Sequence, residues 1–387
     1  MKGAPRFIVG LFIAMMIGVF SCLIFGLGLG LAESGFSYVS SNRLIIIPSY
    51  TNNQLASMTL KQKVSSLFIL HSPGTDAKSL KSFLDKYQPS GLIFMGDNIP
   101  DTSEQLSLLT KELQTNNRLP YLFAVDEEGG VVKRLAGDTY PAAFELKDKD
   151  DSLVRMAFLD RTNLLKKVGL NLNFGIVADI TDNSDSFIYD RVFGSNPDVV
   201  GNKVAAAVVG SIPSTLTTLK HFPGHGEMTA DSHSSIPASD MSYEDWLKDA
   251  MIPFKEGIKA GANVVMFGHL RYNNIDQKPA SLSSKWHDIL KNELGFNGIT
   301  VTDDMGMLQS SGEAAYLNPI QNAIDAINAG NTMLLYVLNN DNSVSGVDIG
   351  GIIDGIVAAA KDGQVDIKLI NKDVRKVITM RHSLIFN

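Results

Sequence analysis

The feature that most restricts the fold of this 387-residue chain is an eightfold alternation of two residue patterns. Short apolar runs bounded by polar residues, Gly or Pro recur at Ser65–Leu70, Gly91–Met95, Tyr121–Val125, Leu172–Val177, Thr215–Leu219, Asn263–Phe267, Gly298–Thr302 and Met333–Val337. Each is rich in β-branched or large apolar side chains, as buried strands are. Between them lie stretches of helical periodicity at Asp76–Tyr87, Ser103–Thr115, Leu153–Val168, Asp198–Ser211, Glu244–Ala260, Ser284–Leu294 and Pro319–Ala329. Gly169, Gly261, Gly295 and Gly330 stand where those helices should stop. Strand and helix alternating eight times predict an α/β fold, a (β/α)8 TIM-type barrel in one domain. A doubly wound dinucleotide fold would carry G-x-G-x-x-G after its first strand, and that motif is missing there. Gly350–Lys361 and Ile367–Leu384 are expected to close the barrel, which is assigned residues 56–387.

The N-terminus follows a different rule. Lys2 and Arg6 precede a run from Phe7 to Ala32 with no charged residue. As a helix at ~1.5 Å per residue it would span roughly 39 Å, enough to cross a ~30 Å bilayer core. Residues 1–32 are therefore expected to hold an N-terminal hydrophobic helix that anchors the chain in the membrane through residues 7–32. The charge asymmetry places the remainder outside the cell. A cleaved signal ending near Gly30-Leu31-Ala32 would give a secreted protein, and lipidation at Cys22 is a third option. Residues 33–55, rich in Ser, Asn and Gly, are expected to be a linker.

Composition narrows the partners. A formal net charge of −7 argues against a nucleic-acid partner held by a basic face. Cys22 is the sole cysteine, so neither a disulfide framework nor a cysteine-based metal site is available. A monomer is expected.

In such a barrel, chemistry belongs at the C-terminal ends of the strands. Those positions here hold Asp126-Glu127-Glu128-Gly129-Gly130 with Lys133-Arg134 beyond, Asp190-Arg191, Lys220-His221-Phe222-Pro223-Gly224-His225-Gly226, Asp231-Ser232-His233, Gly268-His269 and Thr302-Asp303-Asp304. His71 lies less centrally. Two chemistries would use this set. His221, His225, Asp231 and His233 are loosely spaced for a metal, although Pro223 and Gly224 prevent the helical i, i+4 arrangement of a zincin. Alternatively, a carboxylate attacks an anomeric carbon while a second group protonates the leaving oxygen. A histidine fills that second role at neutral pH, with Asp231 two residues earlier fixing its tautomer from one side of an extended loop.

The segment Lys220–Gly226, followed five residues on by Asp231-Ser232-His233, resembles the signature of the β-N-acetylglucosaminidases of glycoside hydrolase family 3. Independently, Ile289–Glu293 and Gly298–Asp303 resemble the family-wide nucleophile signature. Val125–Gly130, Arg191–Ser195 and Met58–Val64 resemble three further family segments, in matching order from about residue 56 to 340. The family's catalytic domain is a barrel. The resemblance implies that Asp303 is the nucleophile and His233 the general acid/base, paired with Asp231. It places Asp126, Arg134, Arg191, Lys220 and His221 at sugar-binding positions. Plainer roles stand beside these: Arg191 pairing only with Asp190, Asp304 as a structural neighbour, His225 as a packed loop residue, His269 as site wall or core.

Two departures bear on fine specificity. Val131 follows Gly129-Gly130 where the family often has Arg, and Met305-Gly306-Met307-Leu308 replaces the common Leu-Ser-Met-Glu. The resemblance implies a retaining exo-β-N-acetylglucosaminidase that needs no metal or organic cofactor. Its substrates would be carbohydrates ending in N-acetylglucosamine, muropeptides first and chitin-derived oligosaccharides as competitors. Phosphorolysis by the same site and a non-catalytic glycan-binding module are the alternatives.

Overall fold

The computed structural model describes residues 50–385, and the chain divides into two compact units at Ala56/Ser57. The expected apolar helix over residues 7–32 lies outside the described residues. Among those described, no helix is long and apolar enough to cross a membrane. Residues 50–57 are helical, so the C-terminal end of the expected linker is ordered. Its polarity reads as linker, yet Gln54-Leu55-Ala56 are good helix formers.

The second unit is the barrel. Its strands are β1 (Phe68–Leu70), β2 (Gly91–Phe94), β3 (Leu122–Val125), β4 (Leu172–Val177), β5 (Leu216–Phe222), β6 (Val264–Phe267), β7 (Ile299–Asp304) and β8 (Met333–Tyr336). They close in chain order, β8 pairing back onto β1, and every pairing is parallel. Helices cover the outside and side chains fill the inside, which is why the strands read as continuous apolar runs rather than alternating ones. The connecting helices start where their caps dictate. Thr102 and Gln105 form a reciprocal capping box before Ser103–Gln114, while Asn196 and Asn318 cap helices that open with Pro197 and Pro319.

Several sequence-based boundaries shift: the first strand, expected from Ser65, starts at Phe68 because Ser65 closes the helix Leu60–Ser65, and three larger shifts follow. The helix expected over Glu244–Ala260 is two helices, Tyr243–Lys248 and Met251–Lys259. Pro253 lacks an N–H and its ring excludes a helical carbonyl at Asp249, so the first helix must end there. Strand β5 continues through Lys220 and His221 to Phe222, and β7 through Asp303 and Asp304. An apolar-run criterion stops at the first charge, whereas these charged residues stay in the strands because each meets a partner.

The end of β5 is held by an aromatic cluster. The Phe222 ring lies 5.0–6.0 Å from those of Phe267, Phe254, Trp286 and Trp246. Trp246 Nε1 donates to Pro223 O (2.8 Å) and Tyr272 OH donates to Gly224 O (2.7 Å). Replacing a buried ring such as Phe222 by Ala costs about 3–5 kcal/mol, and here it would also release Lys220 and His221. Downstream, the loop crosses β4's exit so closely that a Cβ on Gly226 would stand 1.7 Å from Ile180 O.

Candidate active site

Lys220, third from the end of β5, organises the floor of a cavity at the C-terminal end of the barrel. Its Nζ lies 2.7 Å from Asp126 Oδ1 and 2.6 Å from Glu128 Oε1. The two carboxylates follow β3 and alternate with Glu127, so both face the cavity while Glu127 turns away. Glu127 is fully buried and accepts the Arg134 and Leu135 amides at 2.9 and 3.0 Å, which fixes the loop carrying Arg134. Burial above all lifts its carboxyl to about 8.

Arg191 closes the network as a bidentate clamp on Glu128, Nε to Oε2 at 2.9 Å and Nη2 to Oε1 at 2.7 Å. Burial works against ionisation of Glu128, but Arg191 and Lys220 outweigh it and hold the carboxyl well below its ordinary range. Their own values are raised in return, against the same burial. Arg191 Nη2 also lies 3.3 Å from His221 Nε2. A guanidinium can only donate, so Nε2 accepts and the ring proton sits on Nδ1, which donates to Asp179 Oδ2 at 2.8 Å. Asp179, fully desolvated after β4, also accepts the His225 amide at 2.7 Å. Burial opposes its charge, and His221 and His225 overcome that and lower its value.

Asp303 and Asp304 end β7. Burial would raise Asp303, but His221, His269, the Asp304 amide and Lys220 together keep it below the normal aspartate value. It therefore favours the anion more strongly than an ordinary aspartate does. Asp304 goes the other way: burial, aided by the Asp303 charge, lifts it to about 7 even though its Oδ1 accepts the Val337 and Gly306 amides at 2.9 and 3.1 Å. Two adjacent carboxyls thus have separate tasks, one charged and one structural. His269 lies behind them, with Nε2 against Asp304 O (2.9 Å) and Nδ1 against Ser281 Oγ (2.7 Å), a satisfied buried histidine.

His233 sits on the opposite kind of support. Asp231–His233 form a turn rather than the extended loop expected from the spacing. Asp231 Oδ1 accepts both the His233 amide (2.9 Å) and the His233 ring Nδ1–H (2.7 Å), and two donors on one oxygen require the chain to bend. That bond leaves Nε2 free to exchange a proton. The imidazole is 63% exposed and lines the cavity.

The cavity encloses about 460 Å³ and is lined by Asp126, Arg134, Arg191, Lys220, His221, His233 and Asp303 among others. Seven of the eight sequence-predicted residues are thus brought together, and Asp231 supports His233 from outside the lining. Arg191 pairs with Glu128, not Asp190. His225 does not reach the cavity. Both its ring nitrogens lack a hydrogen-bond partner among the described residues, and burial pushes its value down to about 4. Sequence reasoning missed Glu128, which the strand alternation of Asp126-Glu127-Glu128 pointed to, and Asp179, whose position two residues past β4 was the available signal. Phe187 was also missed, since a lone aromatic in a polar loop carries no signature. Among the described residues, no group of three or more His, Cys, Asp or Glu is arranged to hold a metal ion, so His221, His225, Asp231 and His233 do not converge as ligands.

The glycosyl hydrolase family 3 N-terminal domain matches residues 59–380. A β-hexosaminidase from Tolumonas auensis is 34% identical over 275 residues, covering 69% of this chain and 79% of that protein. Beta-hexosaminidase A of Pseudoalteromonas piscicida is 30% identical over 285 residues, 65% of this chain, which spans less than half (46%) of that relative. Among solved structures, a family 3 β-N-acetylglucosaminidase from Paenibacillus aligns with TM-score 0.77 and 27% identity over 85% of this chain and 63% of that one. A matching domain over most of the barrel, on a fold whose strand ends converge as described, means that the chain belongs to glycosyl hydrolase family 3 and is a glycoside hydrolase.

Proposed function

We propose that the protein is a retaining exo-β-N-acetylglucosaminidase. The observation that carries this reading is that Asp303, kept ionised, and His233, kept in one tautomer by Asp231, line the same cavity. In the first step an Asp303 oxygen bonds to the anomeric carbon as the glycosidic C–O bond breaks, and His233 Nε2 gives its proton to the leaving oxygen. In the second step His233 takes a proton from water, whose oxygen displaces Asp303 and restores the carboxylate. Asp126, Lys220, Glu128 and Arg191 present charge-assisted partners to sugar hydroxyls, and Arg134 adds donors on the same wall. The names of the relatives, β-hexosaminidase and β-N-acetylglucosaminidase, support N-acetylglucosamine as the sugar removed.

The biological substrate follows from location. The apolar run over residues 7–32 supports an anchored or exported barrel, and we assign it to N-acetylglucosamine-terminated peptidoglycan fragments outside the cell. The test is turnover of a chromogenic N-acetylglucosaminide by wild type and Asp303→Ala, with comparison of muropeptides and chitobiose and fractionation of the full-length protein. Undiminished turnover by Asp303→Ala sinks the mechanism. A preference for chitobiose, or a soluble cytoplasmic location, sinks the setting while leaving the chemistry intact.

A further inference from the structure

The turn that carries His233 stands largely in solvent, and Asp231, its hydrogen-bond partner, belongs to the same turn and moves with it. Among the described residues, one ring contact reaches the imidazole from another element. The ring of Phe187, on the loop after β4, meets it edge-on at a centroid distance of 5.4 Å. Phe187 has supports of its own. Its ring leans on His225 at 6.1 Å, and the Arg191 guanidinium lies 5.7 Å from its centroid. The preceding Ser186 donates from Oγ to Met228 O at 3.0 Å, tying the β4 loop to the loop that leads to His233. Phe187 is 38% exposed and lines the cavity.

We infer that Phe187 is a positioning residue for His233, setting the direction of Nε2 through its edge-on ring contact. With Nδ1 held on Asp231, the imidazole keeps rotational freedom together with its turn. A fixed aromatic edge removes that freedom, because aromatic pairs prefer T-shaped geometry. Reach and alignment decide the efficiency of proton transfer. His225 serves as backing: it is buried, and burial disfavours its charged form, so it supports the Phe187 ring without adding a charge beside the working imidazole. Arg191, held by Glu128, borders the same ring, so the sugar-binding side and the proton-donating side share one wall.

The inference rests on the acid/base reading of His233, and the experiment separates the two. Phe187→Ala, Phe187→Leu and Phe187→Tyr are compared with His233→Ala and wild type on 4-nitrophenyl N-acetylglucosaminide, whose leaving group needs no proton, and on chitobiose, whose leaving group does. Phe187→Leu keeps apolar bulk and guards against loss of fold, which thermal unfolding monitors. Phe187→Ala and Phe187→Leu are expected to lose roughly tenfold in kcat/KM, which reports the glycosylation step, on chitobiose and less than about threefold on the phenyl substrate, with Phe187→Tyr near wild type. Equal losses on both substrates, or a fully active Phe187→Leu, overturn the positioning role while a selective His233→Ala leaves the acid intact. If His233→Ala loses equally on both, the acid reading fails and this inference falls with it.

Discussion

Glu128 makes no bond to be broken in the reaction, yet it is the residue whose removal should cost the folded protein most at this site. It is 4% exposed and accepts from Lys220 and twice from Arg191. Glu128→Gln keeps the volume and removes the charge, leaving two desolvated cations to share Asp126. Two routes give the magnitude. A carboxyl held at about 2 in the folded protein, against about 4.3 in an unfolded chain, is worth about 3 kcal/mol at neutral pH. Deleting one partner of a buried ion pair costs about 3–5 kcal/mol. The sign follows from the depressed value. The contribution is complete above the unfolded pKa of about 4.3 and is lost as pH falls through that value towards 2. Urea unfolding of wild type and Glu128→Gln at pH 7 and at successively lower pH measures the gap. It should be about 3 kcal/mol at pH 7 and should narrow below about pH 5. A gap under about 1 kcal/mol at pH 7, the size of a surface pair, or one that does not change with pH, refutes the reasoning.

Other expectations follow from the same geometry. Because the proposed mechanism needs Asp303 ionised and its carboxyl lies below the ordinary aspartate value, the acidic limb of kcat/KM should fall below about pH 4; an acidic limb above pH 5 would contradict it. Asp304, lifted to about 7, weakens the fold as pH rises from about 4 towards 7. Asp304→Asn keeps an oxygen for the Val337 and Gly306 amides, so it should be more stable than wild type at pH 8 in urea unfolding, and parallel pH profiles would count against this. Gly226→Ala drives a methyl into Ile180 O and should lower kcat/KM by roughly a hundredfold; wild-type kinetics would show that the loop yields freely. Activity should survive dialysis against EDTA, and a loss restored only by Zn²⁺ would return His221, His225 and His233 to consideration as metal ligands.

The barrel was legible because burial on both faces turns parallel strands into apolar runs, and because Gly169, Gly261, Gly295 and Gly330 stop helices with positive φ. What the residue pattern hid were the strand ends. Lys220, His221, Asp303 and Asp304 look like loop to any apolar criterion, and only their partners keep them in β5 and β7. Asp179 and Glu128 were hidden for a related reason: they touch other site residues that lie dozens of positions away in sequence. Pro253 did announce the break at Asp249, a local rule that helical periodicity across Glu244–Ala260 obscured. Phe187 was beyond reach, since its meaning comes wholly from the rings it meets in space.

The Asp126–Lys220–Glu128–Arg191 network also constrains how this site can diverge. Its charges alternate in sign along a desolvated chain, so no single position can drift to a neutral residue without stranding a neighbour. Variation there has to arrive as paired substitutions, acid with base, passing through an intermediate that folds poorly. Val131, exposed on the lining of the same cavity, is apolar and enters no ion pair. Relatives of this chain should therefore vary around Val131 long before they vary within the network.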